Sequence, residues 1–202
     1  MALNANALTT ISQLKMHLDI AQGDTSQNTR LEMFINSASQ AIESYCNRSF
    51  VKATRSEYRD GRRSNMILLR NYPATSVSEV WIDQDGLFTD ISKKLDSSEY
   101  ALVDEGNSIL LKNRFFPNGY NNIKIVYESG FDPIPADIEY ACLLAAEWFY
   151  RFRQRTDIGI SSVGKDTESK GILNQMPPIV LELIDQYKRI EFASSDSGIR
   201  NG

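Results

Sequence analysis

The residue types that most often carry catalysis or bind metals are scarce in this chain. His17 is the only histidine, and the two cysteines, Cys46 and Cys142, lie far apart in the sequence. A structural zinc site needs four ligands at short, paired spacings, and an activated nucleophile needs a base with an orienting acid. Neither arrangement can be read from the chain, so we interpret His17 as a packed or partly exposed helix residue. Both cysteines are predicted to be buried, unbonded thiols.

Two segments have the residues of an ion or phosphate loop without its spacing. The segment Asp83–Gly86 resembles the start of an EF-hand loop, which requires glycine at its sixth position and glutamate at its twelfth. Those positions are Phe88 and Lys94, so a hairpin turn explains the segment better. Gly159 and Gly164 lack the Lys-Ser/Thr pair of a phosphate loop. We therefore predict no metal, no cofactor and no catalytic residue.

The charge balance gives no general reason for nucleic-acid binding, because 22 Lys and Arg face 26 Asp and Glu. The densest basic group, Arg151, Arg153 and Arg155, is predicted to close a helix, where cations offset the negative end of the helix dipole. A second group, at 59–63, is predicted to form an exposed turn that could face a neighbouring subunit. Nothing resembles a secretory signal or the ~20 apolar residues of a membrane span, so we expect a cytosolic, non-membrane protein.

Apolar periodicity predicts helices at both ends of the chain. Thr10 and Gln13 have capping-box spacing, and the helix that they open is predicted to end near Gly23. A second helix is predicted from about residue 24, a core helix after Pro135, and a last helix from 177. The predicted buried stripes are Leu31, Phe34, Ile35, Ala38, Ile42 and Tyr45 in the second helix, Ile138, Ala141, Cys142, Ala145, Trp148, Phe149 and Phe152 in the core helix, and Val180, Leu183, Ile184 and Tyr187 in the last.

Between these helices the pattern changes to short strands separated by turn residues, and Asp60-Gly61 is predicted to open the first turn. The predicted strands are 51–59, 66–70, 77–83, 87–91, 100–103, 108–111 and 123–127. Their regular spacing predicts one small antiparallel sheet. The predicted fold class is therefore α+β, a small bundle of about four helices with an antiparallel β insertion between the second and third long helices.

The predicted organisation has four parts. Residues 1–50 form the N-terminal helices, 51–130 the β-rich insertion, 131–190 the C-terminal helices, and 191–202 a flexible tail. The segment 156–171 is rich in glycine, serine and charge, and is predicted to be a mobile loop. The tail has too few apolar residues to offset its ordering entropy, so we expect it to be disordered when alone.

The order of these segments resembles the head–tail connector (adaptor) proteins of tailed bacteriophages. The resemblance covers about residues 8–190, although the middle region is long and strand-rich for that family. It is carried by the fragments Leu8–Lys15, Ala41–Phe50, Leu68–Val77, Ile125–Phe131, Ile134–Ile138 and Arg155–Asp166. The order and spacing of these fragments together carry the resemblance.

The resemblance implies a structural subunit of the virion neck, made in the host bacterial cytoplasm. It implies a ring of twelve copies below the portal protein, which extends the DNA channel, docks the stopper or tail-completion protein, and lets double-stranded DNA pass without sequence specificity. It also implies the absence of an active site.

Two flexible segments are the predicted contacts of this ring. The candidate portal-contacting residues of the tail are Arg189, Ile190, Phe192, Ile199 and Arg200. The candidate residues of the loop that meets neighbours or the next ring are Arg155, Asp157, Ile160, Lys165 and Asp166. Their polar composition beside predicted helices is typical of segments that order on binding.

Three other functions remain open at this point. The chain could be another neck or tail-completion protein of the same class. It could be a DNA-binding packaging subunit, although a compact helix-turn-helix with a basic second helix is missing. It could be a hydrolase whose scattered carboxylates converge in the fold, which would require a deep pocket lined by at least two of them.

Overall fold

The computed structural model describes residues 2–156 and 177–189, with side chains for 2–152 and 177–189. In chain order the elements are α1 Ile11–His17, α2 Asn28–Cys46, β1 Ala53–Gly61, β2 Met66–Leu68, β3 Ala74–Ile82, β4 Tyr100–Val103, β5 Ser108–Leu111, β6 Gly119–Ser129, α3 Ala136–Thr156 and α4 Pro178–Asp185. The predicted α+β class is confirmed, with the β insertion between α2 and α3.

The four helices surround one apolar core, and we call them together the helical body. The predicted stripe of α2 is confirmed, since it is buried except for the half-buried Tyr45. In α3 the first four residues of the stripe are buried, but Phe152 is 51% exposed. The prediction of its burial was wrong. The helical period of apolar residues continues to Phe152, whereas α2 and α4 cover only the earlier part of α3. Phe152 stacks on Trp148 instead, with ring centroids 5.1 Å apart.

The first helix begins as predicted and ends earlier. The Gln13 N–H donates to the Thr10 hydroxyl at 3.2 Å, and the Thr10 N–H donates to the Gln13 side-chain oxygen at 3.1 Å. The helix ends at His17 and not near Gly23. The backbone turns at Asp19, which has φ of 56°, and the buried Lys15 ammonium donates to the carbonyls of Gln22 at 3.1 Å and Asp24 at 2.7 Å. These bonds hold residues 18–24 as a loop.

The strands between α2 and α3 form two antiparallel sheets, and the prediction of one sheet was wrong. Their strand orders are β1-β6-β3 and β2-β5-β4. The sheets share an apolar core that includes Val80, Ile109, Leu111, Ile123 and Ile125, and we call residues 53–129 the β insertion. Alternation along a strand identifies its buried face but not the sheet to which it belongs, so the sequence could not separate the two sheets.

Two local predictions in the insertion were also wrong. Residues 87–91 form no strand, and Leu87 and Ile91 are 71% and 72% exposed. Asp60-Gly61 does not open a turn, because both residues belong to β1, where the pairing with β6 shifts register between Arg59 and Gly61. A bulge of this kind carries turn-like residues inside a strand.

Candidate assembly surfaces

The predicted portal contact begins at the last residues that the structure describes. Arg189 is half-buried, and its N–H donates to the Cys46 carbonyl at the end of α2, at 2.9 Å. The last described residue therefore lies beside the end of α2. The other four candidates, Ile190, Phe192, Ile199 and Arg200, lie outside the described residues.

The predicted ring-contact loop begins at the end of α3. Arg155 belongs to the last turn of that helix, and its side chain lies outside the description. The other candidates, Asp157, Ile160, Lys165 and Asp166, lie outside the described residues. The proposal that this loop meets a neighbour therefore stays a prediction.

The helical body meets the β insertion at a buried arginine. Arg48 is 6% exposed, and its guanidinium carbon lies 4.0 Å from the ring centroid of Tyr72, 5.2 Å from that of Phe50 and 5.6 Å from that of Phe131. Among the described residues its Nε and Nη2 have no hydrogen-bond partner. Burial lowers the pKa of Arg48, and the aromatic faces supply the attraction that keeps the cation in place. No local pattern predicts this contact, because Tyr72 and Phe131 are distant from Arg48 along the chain.

The same aromatic group fixes α4, the helix from which the C-terminal segment departs. Tyr187 packs edge-on against Phe50 and Phe131, at 5.7 Å and 6.2 Å between centroids. Its hydroxyl donates to the Asp137 carboxylate, with distances of 2.8 Å and 3.0 Å to the two oxygens. Burial and this bond raise the pKa of Tyr187 to about 12. Tyr187, near the end of the described chain, is thus held against α3 and against the aromatic rings that flank the insertion.

A buried carboxylate joins β1 to the segment that follows β2. The Tyr127 hydroxyl donates to Glu57 Oε2 at 3.2 Å, and the Arg70 N–H donates to the same oxygen at 3.3 Å. Burial raises the pKa of Glu57. The Asn71 N–H donates to the Tyr127 hydroxyl at 3.2 Å, which extends the network toward the helical body. Because Glu57 lies on β1, these bonds place β1 and β2 on the same side of the insertion.

The strand orders and these contacts give the insertion two opposite edges. On the side of β6 opposite β1, the Leu95 N–H donates to the Val80 carbonyl at 2.8 Å, and Trp81 pairs with Lys94. β3 therefore lies beside the segment that leads into β4. β6 separates β1 from β3, and β5 separates β2 from β4. One edge is therefore formed by β1 and β2, and the opposite edge by β3 and β4.

The two edges have opposite charge. Residues 52–72, which we call the basic edge, have a net charge of +4. Residues 73–107, the acidic edge, have a net charge of −6. The charged residues of the basic edge are Lys52, Arg55, Glu57, Arg59, Asp60, Arg62, Arg63 and Arg70. Those of the acidic edge are Glu79, Asp83, Asp85, Asp90, Lys93, Lys94, Asp96, Glu99, Asp104 and Glu105. Charges summed by segment would have shown the asymmetry, but only the strand order places it on opposite edges.

The loop after β3 is shaped by a buried carboxylate. The Asp83 side chain, 1% exposed, accepts from the N–H groups of Asp85 at 3.0 Å and Phe88 at 2.8 Å and from the Lys93 ammonium at 2.5 Å. The lysine is the main reason that the pKa of Asp83 falls to about 2. The Gly86 N–H donates to the Asp83 carbonyl, so a turn does occur here. The predicted hairpin was wrong, because residues 87–91 form no strand. Across the described part of the chain, no group of three or more His, Cys, Asp or Glu could hold a metal.

The histidine and the cysteines have structural surroundings. His17 Nε2 lies 2.8 Å from a Glu147 oxygen, and the Arg151 Nε donates to the other oxygen at 2.6 Å. His17 is a partly exposed residue of α1, as predicted, and α3 brings its acidic partner from 130 residues away. Cys46 and Cys142 are buried and unbonded, as predicted, and burial raises the pKa of both thiols to about 12.

Comparison with known proteins identifies the fold and the family. No curated protein matches the chain. A chain from the neck of the native GTA (gene transfer agent) particle, computed with C12 symmetry, is 19% identical with a TM-score of 0.61, and covers 96% of this chain and 95% of its own. A chain from the neck of the empty GTA particle, computed with C6 symmetry, is 15% identical with a TM-score of 0.62, and covers 96% of both chains. At these identities the likeness shows a shared fold.

One family covers almost the whole chain. It is described as "HCP: Head completion protein", and it matches residues 7–190, which include every described helix and strand. No helix among residues 2–156 and 177–189 combines the length and apolar character needed to cross a bilayer. Because the family model covers residues 7–190, the chain belongs to the head completion protein family. This confirms the resemblance to phage head–tail connector proteins and the prediction of a virion structural protein.

Proposed function

We propose that this protein is a ring-forming subunit of the neck of a phage-type particle. In this proposal about twelve copies sit below the portal, extend the DNA channel and dock the stopper or tail, and the chain catalyses nothing. The family match over residues 7–190 carries the proposal. The necks named above, computed with C12 and C6 symmetry, support a ring of this kind.

The arrangement of rigid and charged parts also supports an assembly role. The helical body holds α4 in place through Tyr187 and Asp137, and the insertion displays oppositely charged edges. The net charge of −4 suits a channel wall past which DNA slides, because phosphate contacts depend on Lys and Arg. Surfaces of this kind position partners, and they require no converging catalytic groups.

Removal of the protein from a particle-producing strain tests this function. We expect DNA-filled heads without tails, which electron microscopy would count. Addition of the purified chain to these heads should restore tail attachment, whereas an unrelated protein of similar size should not. Complete, active particles from the deleted strain would contradict the proposal.

The tail prediction has its own test, the deletion of residues 191–202. We expect a chain that folds normally, because Arg189 and its bond to Cys46 remain, but that no longer joins heads to tails. A chain with residues 191–202 in scrambled order is the matched control for length. Normal joining by the shortened chain would exclude the tail as the portal contact.

The basic edge favours one second candidate, a DNA-binding packaging subunit. Its exposed arginines are a plausible phosphate contact in an otherwise acidic protein. A double-stranded DNA affinity in the micromolar range that falls steeply with salt would support this candidate. We expect weak binding without sequence preference.

A further inference from the structure

A ring of identical chains needs two different surfaces on each chain, and each surface must fit the other. We propose that the basic edge of the β insertion docks on the acidic edge of the next copy. This inference rests on the proposed ring and names the surfaces that build it. The occupant of each edge is therefore a second copy of this chain.

The strand order puts the two edges where a ring needs them. β1 and β3 lie on either side of β6, and β2 and β4 lie on either side of β5, so these strands lie on opposite sides of the insertion. The loop after β3 crosses to the other side, where Phe88 packs on Tyr58 with ring centroids 5.4 Å apart. A subunit in a ring has one neighbour on each side, and opposite faces of the insertion reach both. A two-fold dimer would place the same edge of each copy together, and the like charges would repel.

Opposite charges also occur at matching heights along the insertion. At the tip, Arg62 and Arg63 follow the end of β1, while Asp85 and Asp90 follow the end of β3. β1 ends opposite Gly119 and β3 opposite Ile123, so both groups of charges follow strand ends on the side of the insertion away from the helical body. A side-by-side contact between two copies in the same orientation would bring them together.

Nearer the helical body the same match is repeated. Arg70 bonds through its N–H to Glu57, and its side chain is exposed. Asp104 and Glu105 lie beside the start of β3, where a Cβ on Gly106 would be 2.3 Å from the Ala74 carbonyl oxygen. Ala74 pairs with Ser129 at the end of β6 that adjoins α3. The part of the basic edge nearer the body thus has an exposed positive charge, and that of the acidic edge has exposed negative charges.

Several of these charges are available for a partner. Arg62, Arg63, Asp104 and Glu105 are exposed, and within the described ranges none of them forms an ion pair. Other acidic-edge carboxylates are already neutralised within the chain, as Glu79 is by Lys94. In the proposed contact, the charges without an ion-pair partner are matched by opposite charges of a neighbouring copy. Electrostatic complementarity of this kind fixes the register of a contact.

Charge reversal on each edge separately tests the pairing. The basic-edge variant is Arg62→Glu with Arg70→Glu, and the acidic-edge variant is Asp90→Lys with Glu105→Lys. Each variant changes one tip residue and one residue nearer the body.

Each variant alone should associate about tenfold or more weakly than the wild type at low salt, because like charges then face each other. A 1:1 mixture should recover wild-type association, since every contact in an alternating ring again pairs opposite charges. Sedimentation velocity measures association, and thermal unfolding verifies that each variant is folded.

Particle completion in the deleted strain is the second readout, and it decides the case if the free wild-type chain is monomeric. Neither variant alone should complete particles, and the two expressed together should. Rings or particles formed normally by both single variants would overturn the edge pairing and leave the proposed function intact. Two folded variants that fail both alone and together would also overturn it, as would a basic-edge variant that loses only DNA affinity. A wild-type chain that neither forms rings nor completes particles would overturn the proposed function itself.

Discussion

The helical body and the β insertion differ in how they are packed and in their backbone conformation. The body surrounds a continuous apolar core, in which α2 and α3 bury aliphatic and small residues over most of their length. The insertion has two thin sheets with strands as short as three residues, and its loops contain most of the backbone strain. Among residues 2–156 and 177–189, seven non-glycine residues have positive φ, and five of them belong to the insertion: Arg63, Phe88, Asp104, Glu105 and Asn121.

This difference indicates a division of labour. Left-handed backbone is unfavourable for most side chains and persists where surrounding contacts enforce it, often at functional surfaces. Three of the five residues in the insertion, Arg63, Asp104 and Glu105, are charged residues of the two edges. The body is therefore the more regular part of the described chain, and the insertion has left-handed backbone at exposed charges.

The largest effect is expected from a cavity in the helical body. Ile42→Ala removes a fully buried side chain from α2, which should lower the free energy of unfolding by about 3 kcal/mol. Urea unfolding measures this change. Gln40→Ala, on the exposed face of the same helix, is the control and should change stability by less than about 0.5 kcal/mol.

The same variant shows how closely the two regions are coupled. Trp81 lies in β3 and Trp148 in α3, so variants with a single tryptophan report on each region separately. Because Arg48 and its aromatic neighbours join the regions, both probes should shift to lower urea together. A Trp81 transition that stays at its original position would mean that the insertion unfolds independently.

The next largest effect is expected at the joint itself. Gly130 has φ of +113°, and a Cβ there would lie 2.6 Å from the Val51 carbonyl oxygen. Gly130→Ala should destabilise the protein by about 2 kcal/mol, because the backbone must move and the left-handed region excludes most side chains. Gly23→Ala is the matched control, since its Cβ would meet nothing within 4 Å. Equal unfolding temperatures for the two variants would show that the joint tolerates movement.

The sequence predicted the body better than the insertion, for a physical reason. The stripe of α2 could be predicted because helix burial follows a local period and α2 is covered along its length. The early end of α1 could not, since it depends on Lys15 reaching carbonyls several residues away. The strands 100–103 and 108–111 were predicted with their observed bounds, yet their sheet was not, because register depends on partners.

The candidate contact surfaces show the same difference between local and long-range information. The tail and loop candidates rested on local composition, and all except Arg189 and the backbone of Arg155 lie outside the described residues. The charged edges arise from strand order, which no single segment reveals. A segment-by-segment sum would have shown that 52–72 and 73–107 have net charges of opposite sign. It would not have placed the two segments on opposite sides of the insertion.

The smallest effect is expected from the loop clamp, and its pH dependence distinguishes the insertion from the body. Asp83→Asn removes the charge that Lys93 and two N–H groups stabilise, so it should lower the unfolding temperature at neutral pH. The pKa of Asp83 is about 2 in the folded protein and about 3.9 for an unperturbed carboxyl. The stabilisation is therefore complete above about pH 4 and is lost as the pH falls toward about 2.

The unfolding temperatures of the wild type and Asp83→Asn should accordingly converge as the solution is acidified from about pH 4 toward about pH 2. Asp85→Asn is the matched control, because Asp85 bonds the same Lys93 at 2.9 Å but its side chain is 71% exposed. An exposed ion pair contributes little, so this control should have a much smaller effect at neutral pH. A difference between the wild type and Asp83→Asn that stays constant with pH would mean that the carboxylate shapes the loop through its hydrogen bonds alone, without its charge.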